Sequence, residues 1–142
     1  MVDRGFVIRQ MTLEDVEVAV EWAAEEGWNP GLSDAACFYH ADPGGFFIGE
    51  VDGRPVGCIC AVSYGEAFGF IGFYIVRKDL RGKWYGVELG RRAMTRLGDR
   101  NVGIDGVVAK IRNYEKFGFA LAHRNIRYEG RGGAVSGLAG IV

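Results

Sequence analysis

The stretch Val76-Arg77-Lys78-Asp79-Leu80-Arg81-Gly82-Lys83-Trp84-Tyr85-Gly86-Val87 sets four basic side chains and two glycines between an apolar run and an amphipathic one. That combination suits an anion. Unpaired amides at a helix N-terminus carry the positive end of the macrodipole, glycine lets a phosphate approach the backbone, and Arg81 and Lys83 add mobile positive charge. A glycine-bearing surface loop with solvated basic side chains has the same composition. Two familiar phosphate sites do not fit. A P-loop needs four residues between its first glycine and Gly-Lys-Ser/Thr, and Gly82-Lys83-Trp84 supplies no magnesium-binding hydroxyl. In a dinucleotide fold the glycines follow the first strand, whereas here they follow the fourth.

Other groups with chemistry to offer are sparse. Cys58 and Cys60 could in principle carry an acyl group, but they sit in an apolar run with no histidine nearby in sequence, so they read as core thiols. With Cys37 they make an odd set without zinc or redox spacing. His40 and His123 are isolated, and no metal site follows. Glu66, Asp105, His40 and Tyr74 are the candidates for taking a proton from a nucleophile, since Phe70 to Val76 carries no carboxylate. Composition narrows the partners: 142 residues, 49% apolar and 25% charged, with a formal net charge of −1, describe a globular chain of one domain's size with no bulk attraction for nucleic acid or an anionic membrane. Without a leader-like opening or an apolar run of about 20 residues, the expected location is the cytoplasm.

The elements that must position this turn can be read from period and punctuation. Phe6 to Met11 is a first strand, and Thr12 with Asp15 forms a capping box ahead of a helix whose apolar positions are Val16, Ala19, Val20 and Ala23. Gly27 stops it, Trp28 to Gly31 is a turn, and a short helix runs from Ser33 through Tyr39. Gly45 to Val51 and Arg54 to Tyr64 are strands joined by Asp52-Gly53, a dipeptide suited to a tight hairpin. The second of these strands and Phe68 to Val76 are apolar on both faces, so helices must cover both sides of the sheet. A helix follows from Arg81, with Val87, Gly90, Met94 and Leu97 on its apolar face. Gly103 to Ala109 is a strand, Arg112 to Lys116 a short helix stopped by Gly118, and Ala120 to Tyr128 a last strand. Residues 130–142 are glycine-rich and read as a final strand or a linker.

Arg81-Gly82-Lys83-Trp84-Tyr85-Gly86 resembles the acetyl-CoA loop of the GNAT superfamily of N-acetyltransferases, which runs Arg or Gln, two residues, Gly, one residue, then Gly or Ala. Tyr114-Glu115-Lys116-Phe117-Gly118-Phe119 is similar to the Tyr-Glu-Lys-aliphatic-Gly-Phe that closes the family's fourth helix. The order of elements from Phe6 to Tyr128 also matches. The stretches Trp28-Asn29-Pro30-Gly31 and Gly103-Ile104-Asp105-Gly106-Val107 resemble a subgroup in which a second, acetyltransferase-like domain follows.

The resemblance implies an α/β fold with a mixed, mostly antiparallel central sheet and helices on both faces, spanning residues 1–129. It implies an acyltransferase that uses acetyl-CoA as co-substrate and moves the acetyl group to an amine by direct attack. The acceptor is expected to be a small-molecule amine; a homodimer or a second, C-terminal domain stays open. Cofactor contacts are expected from Tyr74, Ile75 and Val76 at the strand's end and from Arg81, Gly82, Lys83, Trp84, Tyr85, Gly86 and Val87. Tyr114 occupies the position of the acid that protonates the departing thiolate. Trp28, Asn29 and Tyr64 are expected to wall the acceptor pocket. Trp84 departs from the pattern, standing where the family has its first glycine, and is expected to take helical angles with its indole turned away. A non-catalytic acyl-CoA-binding or partner-interaction domain is the alternative reading.

Overall fold

The computed structural model describes residues 4–128 and 130. The chain divides into two compact units, one through Asp105 and one from Gly106.

In the first unit, β1 (Phe6–Gln10) leads directly into α1 (Leu13–Glu25). The capping box forms as expected: Asp15 N–H donates to Thr12 Oγ1, and Asp15 Oδ2 accepts from Thr12 N–H at 2.9 Å. α1 buries Val16, Ala19 and Ala23. α2 (Asp34–Ala41) and a single 3-10 turn at Pro43–Gly45 follow, then β2 (Phe46–Val51), β3 (Arg54–Tyr64) and β4 (Phe68–Val76). The β2–β3 hairpin closes on Asp52 at φ 51° and Gly53 at φ 75°, the paired positive angles that a two-residue turn between twisted strands requires. α3 (Tyr85–Leu97) crosses over to β5 (Asn101–Ile104).

The sheet order is β1-β2-β3-β4-β5. The first four strands are antiparallel to their neighbours and β5 runs parallel to β4. β3 is buried from Val56 to Val62, as a central strand covered on both faces must be. Cys58, Cys60 and Val62 join Met11, Val16, Ala19 and Ile75 in the core under α1. On the other face Tyr85, Leu89, Ala93 and Leu97 are each at most 1% exposed. Of the expected face, Leu97 belongs to this stripe and Gly90 is buried beside it. Val87 and Met94, also expected there, are only half-buried, because the buried face is centred on Tyr85, Leu89, Ala93 and Leu97; α3 begins at Tyr85 instead of Arg81. The late start has a backbone cause: Gly82 and Trp84 both hold positive φ, at 83° and 70°, which no helix accommodates.

The second unit carries a 3-10 turn at Val108–Lys110 and α4 (Ile111–Glu115). The expected strand Gly103 to Ala109 is shorter, Asn101–Ile104, and gives way at Asp105-Gly106. A Cβ at Gly106 would lie 2.2 Å from the Tyr114 ring, so this glycine lets the tyrosine pack against the backbone. α4 ends at Glu115, one residue short of the expected Lys116, and the turn that follows reaches Gly118, whose φ is 88°. The strand expected at Ala120 to Tyr128 does not form. Its side-chain pattern suits a strand, but a strand also needs a ladder partner, and none pairs with it among the described residues. Leu121, Ile126 and Tyr128 are 55%, 73% and 86% exposed. The final strand or linker expected at residues 130–142 lies outside the described residues apart from Gly130.

Candidate functional site

Two features of β4 prepare its C-terminal half. Its parallel ladder with β5 covers only Phe68 to Ile71, so from Gly72 the strand runs on beyond β5. It also bulges there: Cys58 pairs with Ile75 and Cys60 with Gly72, leaving two β4 residues opposite one on β3. Phe73, in the bulge, takes φ 44°, and its carbonyl accepts from the Cys58 thiol at 3.1 Å. Extra residues of this kind kink a strand and take its peptide groups out of the ladder.

Past Val76 the chain makes a 3-10 turn, Lys78–Leu80, and then the glycine turn. Arg81 has partners within the protein. Its Nε donates to the Val76 carbonyl at 2.8 Å and its Nη2 to Glu26 at 2.7 Å. Gly82 faces open space, with nothing within 4 Å of where a Cβ would stand. Lys83 is exposed.

Trp84 corrects the expectation of helical angles: it is the N-cap of α3 in the left-handed region, at φ 70° and ψ −3°. The backbone therefore keeps the form a glycine would adopt there, with a residue for which that form costs about 1–2 kcal/mol. The indole does turn outward, being 55% exposed. Because an indole offers only a donor, Trp84 cannot cap the first-turn amides of α3, and no side-chain cap is made.

Tyr85 contributes only backbone to the turn, since its ring is 1% exposed and lies 5.0 Å from that of Phe6. The Tyr74 hydroxyl donates to the Gly86 carbonyl; a Cβ at Gly86 would stand in ordinary contact with Val76 and that hydroxyl, whereas one at Gly90 would lie a tight 3.0 Å from the hydroxyl, so Gly90 is the glycine that makes room for it. Glu88, an acid in the first turn of α3, is paired with Arg91 at 2.7 Å, which blunts its repulsion of an anion. A helix N-terminus that Trp84 does not cap, the open space over Gly82 and exposed Lys83 suit an anionic group in sign.

Of the expected acceptor residues, Trp28 is half-buried against the core under α1, and Asn29 is exposed at φ 48°. Both follow Glu26, which touches Arg81, so the chain brings them to the turn's end of the sheet. Tyr64 is elsewhere. It pairs with Phe68, at the opposite end of β4 from Val76, roughly 26 Å away at about 3.3 Å per residue. Its ring, 57% exposed, lies 6.0 Å from that of Phe68. Tyr114 lies on α4 of the second unit. Burial raises its phenol above the ordinary tyrosine range, partly offset by a hydrogen bond with the Val107 backbone, so it keeps its proton at neutral pH.

The thiols are inert by the same logic, burial pushing Cys60 up to about 12 and Cys58 higher still. A cleft of about 200 Å³ between the ends of α1 and β4 is lined by Trp22, Glu25, Glu26, Ile75 and Arg77, among others. Sequence reasoning passed over Glu26 and the Phe73 bulge. Glu26 left one signal: two acids at a helix C-terminus oppose the macrodipole, which argues for a cationic partner elsewhere in the chain.

Known proteins resemble this chain in sequence and in fold. A holothin acyltransferase from Pseudoalteromonas sp. (strain SANK 73390) is 36% identical over 119 residues, covering 84% of this chain and 40% of that protein. The chain thus spans about two fifths of that relative's length. Ard1 from Thermoplasma volcanium is 22% identical, with a TM-score of 0.70 over 84% of this chain and 85% of that one. N-acetylglutamate synthase from Neisseria gonorrhoeae, solved with coenzyme A and L-arginine, is 18% identical, with a TM-score of 0.69 over 85% of this chain and 28% of that one. The sequence profile of the Acetyltransferase (GNAT) family matches residues 13–119, from the start of α1 past the end of α4, and the chain belongs to that family.

Proposed function

We propose that the chain is an acyltransferase domain that binds acetyl-CoA and passes its acetyl group to an amine, with a small molecule as acceptor. One observation carries this reading: a strand that outruns its parallel neighbour leads into a turn with positive φ at Gly82 and Trp84 and an uncapped helix N-terminus. The turn amides from Gly82 to Val87 and the Lys83 ammonium hold the pyrophosphate. The end of β4, Tyr74 to Val76, orients the pantetheine arm. The co-substrate supplies an acyl group already activated as a thioester, so the protein's part is orientation and polarisation. The amine nitrogen bonds to the carbonyl carbon, the carbon–sulfur bond breaks, the nitrogen gives up a proton to solvent, and Tyr114 gives one to the sulfur. An α-amine, with a reference pKa near about 8, needs less help in losing that proton than a lysine near about 10.4. The relative named as a holothin acyltransferase supports acyl transfer to a small molecule. The test is calorimetric titration with acetyl-CoA, followed by thiol release across a panel of amines; no release with any amine would leave a binding domain.

Trp84 offers a second check. Trp84→Gly lies outside α3, so the helix-interior penalty for glycine does not apply, and relief of the left-handed strain opposes the loss of indole packing. The expected outcome is a stability within about 1 kcal/mol of wild type and tighter coenzyme A binding, as bulk beside the amides disappears. Calorimetry and urea unfolding on both proteins check this; weaker binding by the variant would mean that the indole itself touches the ligand.

A further inference from the structure

We propose that Glu26 is a positioning residue of the phosphate turn, a latch on the end of α1 that holds Arg81 away from the ligand and fixes the backbone on which the ligand sits. The inference rests on the reading of that turn as a coenzyme A site. Glu26 Oε1 accepts from Arg81 Nη2 at 2.7 Å and stands 3.7 Å from Lys78 Nζ, so one carboxylate oxygen gathers two cations of the segment between β4 and α3. Arg81 extends the tie, because its Nε donates to the Val76 carbonyl at 2.8 Å. The helix end, the last residue of β4 and the first residue of the glycine turn are thereby joined through one guanidinium. Its planar fork can serve a carboxylate and a carbonyl together, which a lysine ammonium on a flexible stem does with less geometric definition. The Glu26 side chain is 21% exposed and that of Arg81 44%, so the pair is partly shielded from solvent and salt.

The turn needs such support, since it holds two residues at positive φ, one of them a tryptophan. A backbone in those angles persists only where its surroundings over-determine it. With the latch closed the amides are set before the ligand arrives, and binding spends less on ordering them.

The latch makes a prediction opposite in sign to simple electrostatics. Removing a carboxylate near a polyanion site should tighten binding, and removing an acid from a helix C-terminus should favour the helix. If Glu26 holds the turn, Glu26→Ala weakens coenzyme A binding instead, by about threefold to tenfold. Glu26→Gln, which keeps an acceptor for Arg81 but not the charge, falls between, and it serves if the alanine variant folds poorly. Asp79→Asn is the control: Asp79 lies on the same segment, 67% exposed and 3.6 Å from Arg77, and its loss removes the same charge without touching Arg81. Calorimetric titration of the wild type with coenzyme A comes first, then of the three variants, each with a thermal melt. Weaker binding by the Glu26 variants, with Asp79→Asn unchanged or tighter, supports the latch. Equal or tighter binding by Glu26→Ala overturns it, as does equal weakening by Asp79→Asn. A wild type that binds no coenzyme A removes the reading of the turn itself, and the titration order separates that failure from failure of the latch.

Discussion

Tyr114→Phe is expected to lower kcat about tenfold to hundredfold, or roughly 1.4 to 2.7 kcal/mol of barrier, while acetyl-CoA affinity stays nearly unchanged. The phenol matters only as the carbon–sulfur bond breaks, so losing its hydroxyl reaches the transition state and spares ground-state binding. A thiolate leaves tolerably without protonation near neutral pH, which sets the upper limit. Burial raises the Tyr114 phenol, so the proton is present across the neutral range and the loss should not depend on pH there. A tyrosine that merely packs against Gly106 predicts the reverse: a lower melting temperature and an unchanged rate per folded molecule. Thiol-release rates with a responsive amine, beside coenzyme A titrations and melts, separate the two.

Asp42→Ala is expected to destabilise the fold by about 2 to 3 kcal/mol, a fall of about 5–10 °C in melting temperature for a domain of this size. Asp42 links three elements. Both of its carboxylate oxygens accept from Arg96 Nη2 on α3 at 2.8 Å, and Oδ2 accepts from Ser63 N–H on β3 at 2.9 Å. Arg96 Nε also donates to the Ala61 carbonyl at 3.1 Å. Cutting Asp42 away strands a guanidinium whose side chain is 27% exposed and leaves the Ser63 amide unsatisfied. Burial works to raise the Asp42 carboxyl, but the hydrogen bonds from Ser63 and Arg96 outweigh it and hold the group below its ordinary value. A lowered folded-state pKa gives stability that is complete above the unfolded value, near about 4, and lost as pH falls through the folded one. The gap between wild type and variant should be full at pH 7 and narrow in more acidic buffer, measured by urea unfolding at each pH. A gap that does not change with pH would assign the loss to packing instead.

Much of the scaffold was legible because it is written locally. Thr12 and Asp15 announce α1, Asp52-Gly53 announces the β2–β3 hairpin, and two-sided apolarity marks β3 as central. What escaped reading depends on partners distant in sequence. Ala120 to Tyr128 has a strand's side chains, but a ladder is a property of two segments, and no partner pairs with it among the described residues. On α3 the expected Gly90 and Leu97 are buried while Val87 and Met94 are half-buried, and the helix starts late, at Tyr85, after left-handed angles at Gly82 and Trp84. For glycine such angles are foreseeable; for tryptophan no propensity predicts them. The motif carried by Arg81, Gly82 and Gly86 is visible in the sequence, but the contacts its residues make inside the protein are not. Arg81 bonds within the protein, to Glu26 and the Val76 carbonyl, and the Gly86 carbonyl accepts from the Tyr74 hydroxyl.

The most direct test of the account is calorimetric titration of the protein with acetyl-CoA in low salt, with thermal melts on the same samples. Saturable binding at one site is expected. At a hundredfold excess over Kd, mass action gives about 2.7 kcal/mol of added stability, a rise of about 5–10 °C in Tm, and adenosine alone does much less. A flat titration with an unchanged Tm at saturating acetyl-CoA would contradict it.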